Sequence, residues 1–379
     1  MKSKITAICF LLLLFGLTIF SIFKPPTIFS EKENRYLEQK PVFSFSSLLD
    51  GSYSADYETY LSDQFPGRDQ WIRIKSMNEQ LLQKKDMNGV YLGKDQYLIE
   101  QPDRTVFESS QSQKNIDCLS DFVQRQTSHL GQSHVQVMVV PSASQILTEK
   151  LPLFASPYEE ERFLSSVRSS VGDDHFIDVT PTLSSHQQEY IYYRTDHHWT
   201  TLGAFYAYQQ WANSIGISPY AQNDFTIKTV SDSFYGTIQA KVNLPVSPDS
   251  MNVFLPNFPI TYTVTYNESE PAKDSLYEWD ALKIRDKYRF YLNGNQPITH
   301  IQTSSDSGRN LLVIKDSFAN SFIPFAANHF DQTVVVDLRY FNGDGQALID
   351  NYHITDILVL YQASFLAKES SVIQLNRWQ

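Results

Sequence analysis

The fold is decided by residues 311–320, Leu311-Leu312-Val313-Ile314-Lys315-Asp316-Ser317-Phe318-Ala319-Asn320. Four apolar residues in succession read as a strand buried on both faces. The polar turn that follows places Ser317 where a strand gives way to a helix start. Such a turn exposes a hydroxyl and aims backbone N–H groups at it, as an oxyanion requires. On local sequence alone a helix-capping Ser or Asp explains the same pattern.

Working outward, similar apolar runs recur at His134–Val140, Thr333–Asp337 and Asp356–Leu360, and a shorter one at His175–Val179. Helical patterns separate them: Val106 to about Leu130, Glu159–Val171, Thr201–Ser214 closed by Gly216, and segments near Asn320–Asn328 and Gln346–Tyr352. Short apolar runs alternating with helices predict an α/β fold, a mostly parallel sheet covered by helices on both faces. Residues 217–300 differ. They carry Pro and Asn turns and the alternation Ile260-Thr261-Tyr262-Thr263-Val264-Thr265. They predict an inserted β-rich lobe that adds no central strand.

At the N-terminus, Lys2 and Lys4 precede an uncharged stretch from Ile5 to Phe23, long enough to cross a bilayer and stopped by Lys24-Pro25-Pro26. A cleaved signal peptide and a retained anchor both fit. Ser21-Ile22-Phe23-Lys24 lacks the small residues of a cleavage site, which favours the anchor. The two lysines place the rest of the chain outside the cytoplasm. The expected division is a transmembrane signal-anchor over 1–24, a linker with docking helices over 25–85 (helical from Tyr57 to Lys85, interrupted at Phe65-Pro66-Gly67), and a catalytic domain over 86–379.

Composition narrows the function. Lys and Arg total 31 against 42 Asp and Glu, a net charge of −11. That balance provides no basic footprint for nucleic acid. Hydrophobic residues make up 42% and charged residues 19%, enough for a sizeable core. The 22 Tyr and 25 Phe suit carbohydrate stacking, or simply fill that core. Cys9 lies in the apolar run and Cys118 far from it, so no disulfide framework and no cysteine-based zinc site is expected.

Sites in open parallel sheets form outside the carboxyl ends of strands. A second reactive segment expected there is Tyr193-Arg194-Thr195-Asp196-His197-His198-Trp199-Thr200, with an acid and two imidazoles in three residues. A carboxylate orienting an imidazole toward Ser317 is one reading. A metal site or a chance turn are the others, though adjacent histidines converge awkwardly on one ion.

Asp196-His197-His198-Trp199 is the signature of the DHHW family, and the chain resembles that family through most of its length. Further matches are Glu33-Asn34-Arg35, Asp63-Gln64-Phe65-Pro66-Gly67-Arg68 and Asn88-Gly89-Val90-Tyr91-Leu92-Gly93-Lys94. Phe234-Tyr235-Gly236-Thr237, Lys315 to Ser321 and Asp337-Leu338-Arg339-Tyr340 complete the set. The family is similar to the alginate O-acetyltransferase AlgX/AlgJ-like branch of SGNH hydrolases. The resemblance implies a permuted SGNH (flavodoxin-like) domain with Asp196 as orienting acid, His198 as base and Ser317 as nucleophile. It implies O-acetylation of a cell-envelope polysaccharide or wall polymer, with a multipass membrane O-acyltransferase as donor partner and no cofactor or metal. Deacetylation by the same residues, or polymer binding without catalysis, are the alternatives. Candidate oxyanion or substrate contacts are Arg339, Tyr235, Gly236 and Asn320. Alternation in extended backbone is expected to put Asp196 and His198 on one side and to turn His197 away, toward packing or solvent.

Overall fold

The computed structural model describes residues 2–30, 35–267 and 270–378. Seven strands form the main sheet: β1 (Val135–Val140), β2 (Phe176–Ile177), β3 (Tyr262–Tyr266), β4 (Ile298–Thr303), β5 (Asn310–Lys315), β6 (Gln332–Val336) and β7 (Asp356–Gln362). Their order is β3-β4-β6-β5-β7-β1-β2. From β6 to β2 all neighbours are parallel, with Val313 opposite Val335 and Leu358, and Val359 opposite Val137. Counted from β5 as first, these five strands read 2-1-3-4-5, a doubly wound order. The chain enters that order out of phase, at its fourth strand. The point where the order reverses lies between β5 and β7, and this is where such sheets open a crevice.

The apolar runs are continuous because each strand is covered twice. Leu311 and Val313, Met138 and Val140, and Leu358 and Leu360 point to one face. There they meet Phe205, Tyr208 and Trp211 of the helix Thr201–Ser214. Leu312 and Ile314, Val137 and Val139, and Ile357 and Val359 point to the other. That face is packed by α1 (Ser110–Leu130), α2 (Glu161–Val171) and α4 (Gly345–Asn351), the helix Thr201–Ser214 on the opposite face being α3. α1 buries Ile116, Leu119, Phe122 and Val123 at helical spacing, and Ser109 caps its first turn through Ser112 N.

Two expectations need correction. The 217–300 insertion does not stand apart from the sheet as a lobe. Its Thr-rich segment becomes β3, pairs antiparallel with β4, and β4 pairs antiparallel with β6. Val264, Tyr266 and Ile301 carry core-facing apolar surface, so the segment gains more by extending the sheet edge than by packing alone. The rest of the insertion forms the hairpin Phe225–Phe234/Asp249–Pro256 and an aromatic cluster of Phe234, Tyr288, Phe290 and Tyr291. The helix expected near Asn320–Asn328 is instead a single α-turn, Ile323–Ala326, between 3-10 turns at Ser317–Ser321 and Ala327–His329.

The chain divides into two compact units, residues 1–88 with 239–245, and residues 89–238 with 246–379. In the first, an apolar helix runs Lys2–Phe23. Its window Lys4–Ser21 is long and apolar enough to cross a membrane, a test that a signal sequence also passes. Helices follow at Ser52–Asp63 and Arg68–Leu81, broken at Gly67, whose φ of 66° starts the second. The Asp63 carboxylate takes both arms of Arg35, at 2.8 and 2.6 Å, and the Glu38 N–H. Two of the sequence matches therefore meet here. Glu33 and Asn34, from the first of them, lie outside the described residues.

Candidate active site

Ser317 follows β5 at the carboxyl edge of the sheet, beside the switch point. Its turn is fixed from below by Asp316, which accepts Phe318 N with one oxygen and Gln362 N, at the end of β7, with the other, both at 2.9 Å. That carboxylate is spent on the turn. The turn itself is a five-residue 3-10 stretch, with little of the aligned dipole a long helix brings.

The acid and imidazoles come from a bend before α3. Asp249, on the insertion's hairpin, ties that bend down. Its carboxylate accepts Arg194 N (2.9 Å), Thr195 N (2.8 Å), the Thr195 hydroxyl and the Tyr190 hydroxyl. Trp199, fully buried, donates its indole N–H to Phe318 O at 2.9 Å and so pins the bend to the serine turn. The result is a relay. His198 Nε2 lies 2.7 Å from Ser317 Oγ, and His198 Nδ1 lies 2.5 Å from Asp196 Oδ1. Asp196 Oδ2 accepts Thr237 N at 2.9 Å. Ser317 is 7% exposed, so the hydroxyl sits at the floor of the surface rather than on it.

The electrostatics suit a neutral base. Burial pushes the His198 imidazole down to about 4; neighbouring His197 adds to this, while Asp196 opposes it. Burial acts to raise the Asp196 carboxyl, but the two imidazoles and the hydrogen bonds from His198 and Thr237 hold it well below the usual range. At neutral pH Asp196 is ionised and His198 neutral. With Nδ1–H donated to Asp196, Nε2 offers a lone pair to the Ser317 hydroxyl. Acylation of Ser317 is therefore expected to stay level from neutral pH to about 5. It should fall to half near pH 4, as the imidazole gains the proton that blocks Nε2. A pH–rate profile of serine labelling checks this, and a midpoint near 6.5 would show an imidazole that is not desolvated.

His197 does not turn away. Its ring lies beside that of His198, with centroids 3.9 Å apart, and its Nδ1 is 2.9 Å from Thr237 Oγ1. The alternation rule fails because residues 194–198 are a bend, not extended backbone. Asp196, His197 and His198 each bring a ligand-type atom within 4.8 Å of the others. Both His198 nitrogens and both Asp196 oxygens already have protein partners, which leaves a poor donor set for an ion.

The other sequence candidates take varied places. Gly236 gives its N–H to Thr195 Oγ1 at 3.0 Å and does not face Ser317. It matters by its lack of a side chain, since a Cβ there would stand 2.1 Å from Asp196 Cβ and 2.3 Å from Oδ2. Gly236→Ala is expected to displace the carboxylate and to slow acylation about 100-fold. The melting temperature should drop far less than for a core truncation, and an unchanged rate would show that the approach can relax. The Tyr235 hydroxyl donates to Val246 O, a lobe contact. Arg339 is clamped by Asp337 at 2.8 and 2.6 Å, and Asn320 donates to Asn295 Oδ1.

Sequence reasoning missed Tyr288. Its ring stacks on His198 at 3.8 Å with a 12° tilt, and its hydroxyl reaches Ser317 O and Ser321 Oγ at 3.3 Å. It missed Thr237 and Asp249 too. Thr237 closes the quoted match Phe234-Tyr235-Gly236-Thr237 but was given no role there; a lone Tyr in a 3-10 turn gave no signal.

The hydrogen-bonded series Asp196–His198–Ser317 thus stands at the carboxyl edge of a doubly wound α/β sheet. The chain belongs to the DHHW family, whose model matches residues 103–336. Among solved structures, a DHHW family protein from Eubacterium siraeum is similar over 76% of this chain and 96% of its own, at 24% identity and a TM-score of 0.59. Bacillus cereus PatB1, captured with a sulfonyl adduct, matches over 75% and 99%, at 23% identity and 0.60. The O-acetyltransferase domain of Pseudomonas putida AlgJ matches over 77% and 99%, at 16% and 0.45. No curated protein matches the chain.

Proposed function

We propose that this chain is an extracytoplasmic O-acyltransferase, most simply an O-acetyltransferase of the SGNH type, held at the membrane by the helix Lys2–Phe23 and acting on a cell-envelope polysaccharide or wall polymer. The observation that carries the reading is the unbroken relay from Asp196 through His198 to Ser317. Ser317 Oγ attacks the acyl carbonyl while its proton passes to His198 Nε2. That proton leaves with the departing group, and the acyl group stays on Ser317. An acceptor hydroxyl then gives its proton to Nε2 and takes the acyl group, and Nε2 returns that proton to the departing Oγ, regenerating Ser317 and the neutral imidazole. Asp196 holds the imidazole in the required tautomer throughout. The donor is proposed to be a multipass membrane acyltransferase, beside which an anchor would raise the local concentration.

The sulfonyl adduct of PatB1 supports the choice of probe. An activated serine attacks a sulfonyl fluoride and keeps the sulfonyl group as fluoride leaves. The purified full-length chain in detergent should be labelled at Ser317, and should move acetyl from an activated acetyl ester to an oligosaccharide. Labelling with release to water alone would turn the reading to a carbohydrate esterase. Absence of labelling in a folded chain would leave a polymer-binding protein.

A further inference from the structure

The helix Arg68–Leu81 points its apolar side at solvent. At about 100° per residue, Trp71, Ile74, Met77 and Leu81 fall within about 120° of arc, shared with Gln70 and Asn78. All four apolar side chains are exposed. The side turned inward carries Ile72, Ser76 and Glu79, of which Ser76 is fully buried. A helix that only closes its own unit does the opposite, and keeps its apolar stripe inside. The stripe continues into Leu82, and the same unit also exposes Phe43, Phe45, Leu48 and Leu49. Among the described residues beyond 88, exposed large apolar side chains are sparse, as on an ordinary surface.

The charges beside the stripe say what covers it. Arg73 stands at one edge and Lys75 at the other, both exposed. From Arg68 to Lys85 there are five basic residues against two acidic ones, Asp69 and Glu79, in a chain whose net charge is −11. An open groove of about 490 Å³ adjoins the stripe at Trp71, where Phe65, Arg68 and Lys241 help to line it. An apolar face with a tryptophan in it and cations along its edges is what a helix lying in a headgroup layer needs. The aliphatic chains and the indole enter the acyl boundary, while the cations reach out to phosphates. The helix Lys2–Phe23, long and apolar enough to cross a bilayer, belongs to the same unit and ties this face to a lipid surface.

We propose that the helix Arg68–Leu81 lies flat on an anionic phospholipid surface, with Trp71, Ile74, Met77 and Leu81 in the acyl boundary and Arg68, Arg73, Lys75 and Lys241 at the phosphates. The unit is then held to the bilayer at two places, its spanning helix and this one. The proposal rests on the membrane-held reading for its setting, and experiment separates the two. The full-length chain is reconstituted into vesicles of phosphatidylcholine and phosphatidylglycerol whose acyl chains carry bromine, a contact quencher of tryptophan. Trp71 and Trp279 are the exposed tryptophans, at 47% and 49%, while Trp199, Trp211 and Trp378 are buried. Bromine is expected to quench the wild-type chain and Trp279→Phe alike, and to find little to quench in Trp71→Phe. Ile74→Glu, which sets a charge in the middle of the stripe, should lower the quenching about fivefold with native circular dichroism. Omitting phosphatidylglycerol should lower it about twofold or more.

Equal quenching in the wild type and in Trp71→Phe overturns the proposal, as does quenching that ignores Ile74→Glu. Quenching that ignores phosphatidylglycerol overturns the anionic surface as the partner. A Trp71 shielded from aqueous iodide yet untouched by bromine would give the stripe to a second copy of this chain, and overturn the bilayer as its occupant. Flotation with the vesicles tests the anchor separately, against a Leu11→Arg, Leu12→Arg chain whose span is broken. A wild-type chain that floats no better than this variant, with Trp71 still quenched, would sink the anchor and leave the docked helix. Flotation that needs the intact span, with no quenching at Trp71, would do the reverse.

Discussion

Ser317→Ala and His198→Ala are each expected to slow acylation by about 10⁶-fold, with the double variant no worse than either alone. Members of one proton relay are not additive, because removing either leaves the other with nothing to do. The geometry is already that of a reacting pair, with Nε2 2.7 Å from Oγ. His197→Ala should be far milder, since its ring touches the relay only from the side. The measurement is sulfonyl labelling and acetyl transfer across these variants, with folding followed by circular dichroism. Equal, total loss at both histidines in folded protein, restored by added zinc or abolished in wild type by a chelator, would establish a metal centre instead. Loss at His197 alone would show that the wrong imidazole has been assigned.

Asp196→Asn is expected to cost about 10⁴-fold, and the reason lies in Thr237 rather than in lost charge alone. The Thr237 backbone N–H requires an acceptor at the Oδ2 position. An asparagine has one acceptor for two demands, because the His198 backbone N–H also donates to Oδ1, at 3.1 Å; when its carbonyl turns to Thr237, its amide N–H faces His198 Nδ1. The imidazole then carries its proton on Nε2, the nitrogen that should receive the proton of Ser317. Fold stability should fall only modestly, as the side chain keeps its size. A loss under tenfold, with the native melting temperature, would mean that His198 is oriented mainly by Tyr288 stacked on its face.

Much of this was written in the chain. The strands at Val135–Val140, Asn310–Lys315, Gln332–Val336 and Asp356–Gln362 announce themselves because they are buried on both faces and so cannot alternate. Helix α3 matched its expected bounds, with Thr200 as cap and a turn ending at Gly216. β4 was illegible for the opposite reason. Ile298-Thr299-His300-Ile301-Gln302-Thr303 mixes polar and apolar residues one strand in from the sheet edge, and only pairing with β3 and β6 makes it a strand. Asp196, His198 and Ser317 could be picked out as residue types. That they meet depends on contacts spanning 119 residues, which no local pattern encodes. The same limit hid Tyr288, whose position is set by a cluster of rings rather than by periodicity.

The out-of-phase strand order has a consequence for how the protein is born. β1 and β2 are synthesised first, yet the inner edge of β1 finds its neighbour only when β7 arrives, some 200 residues later. The growing chain therefore carries an open, largely apolar strand edge through most of its own emergence. Such edges invite mispairing and call for a holding chaperone during synthesis. Protease resistance of progressively longer nascent chains should accordingly remain low until residue 362 has cleared, and then rise in one step. Gradual protection, growing as each strand emerges, would show that the first two strands find shelter of their own.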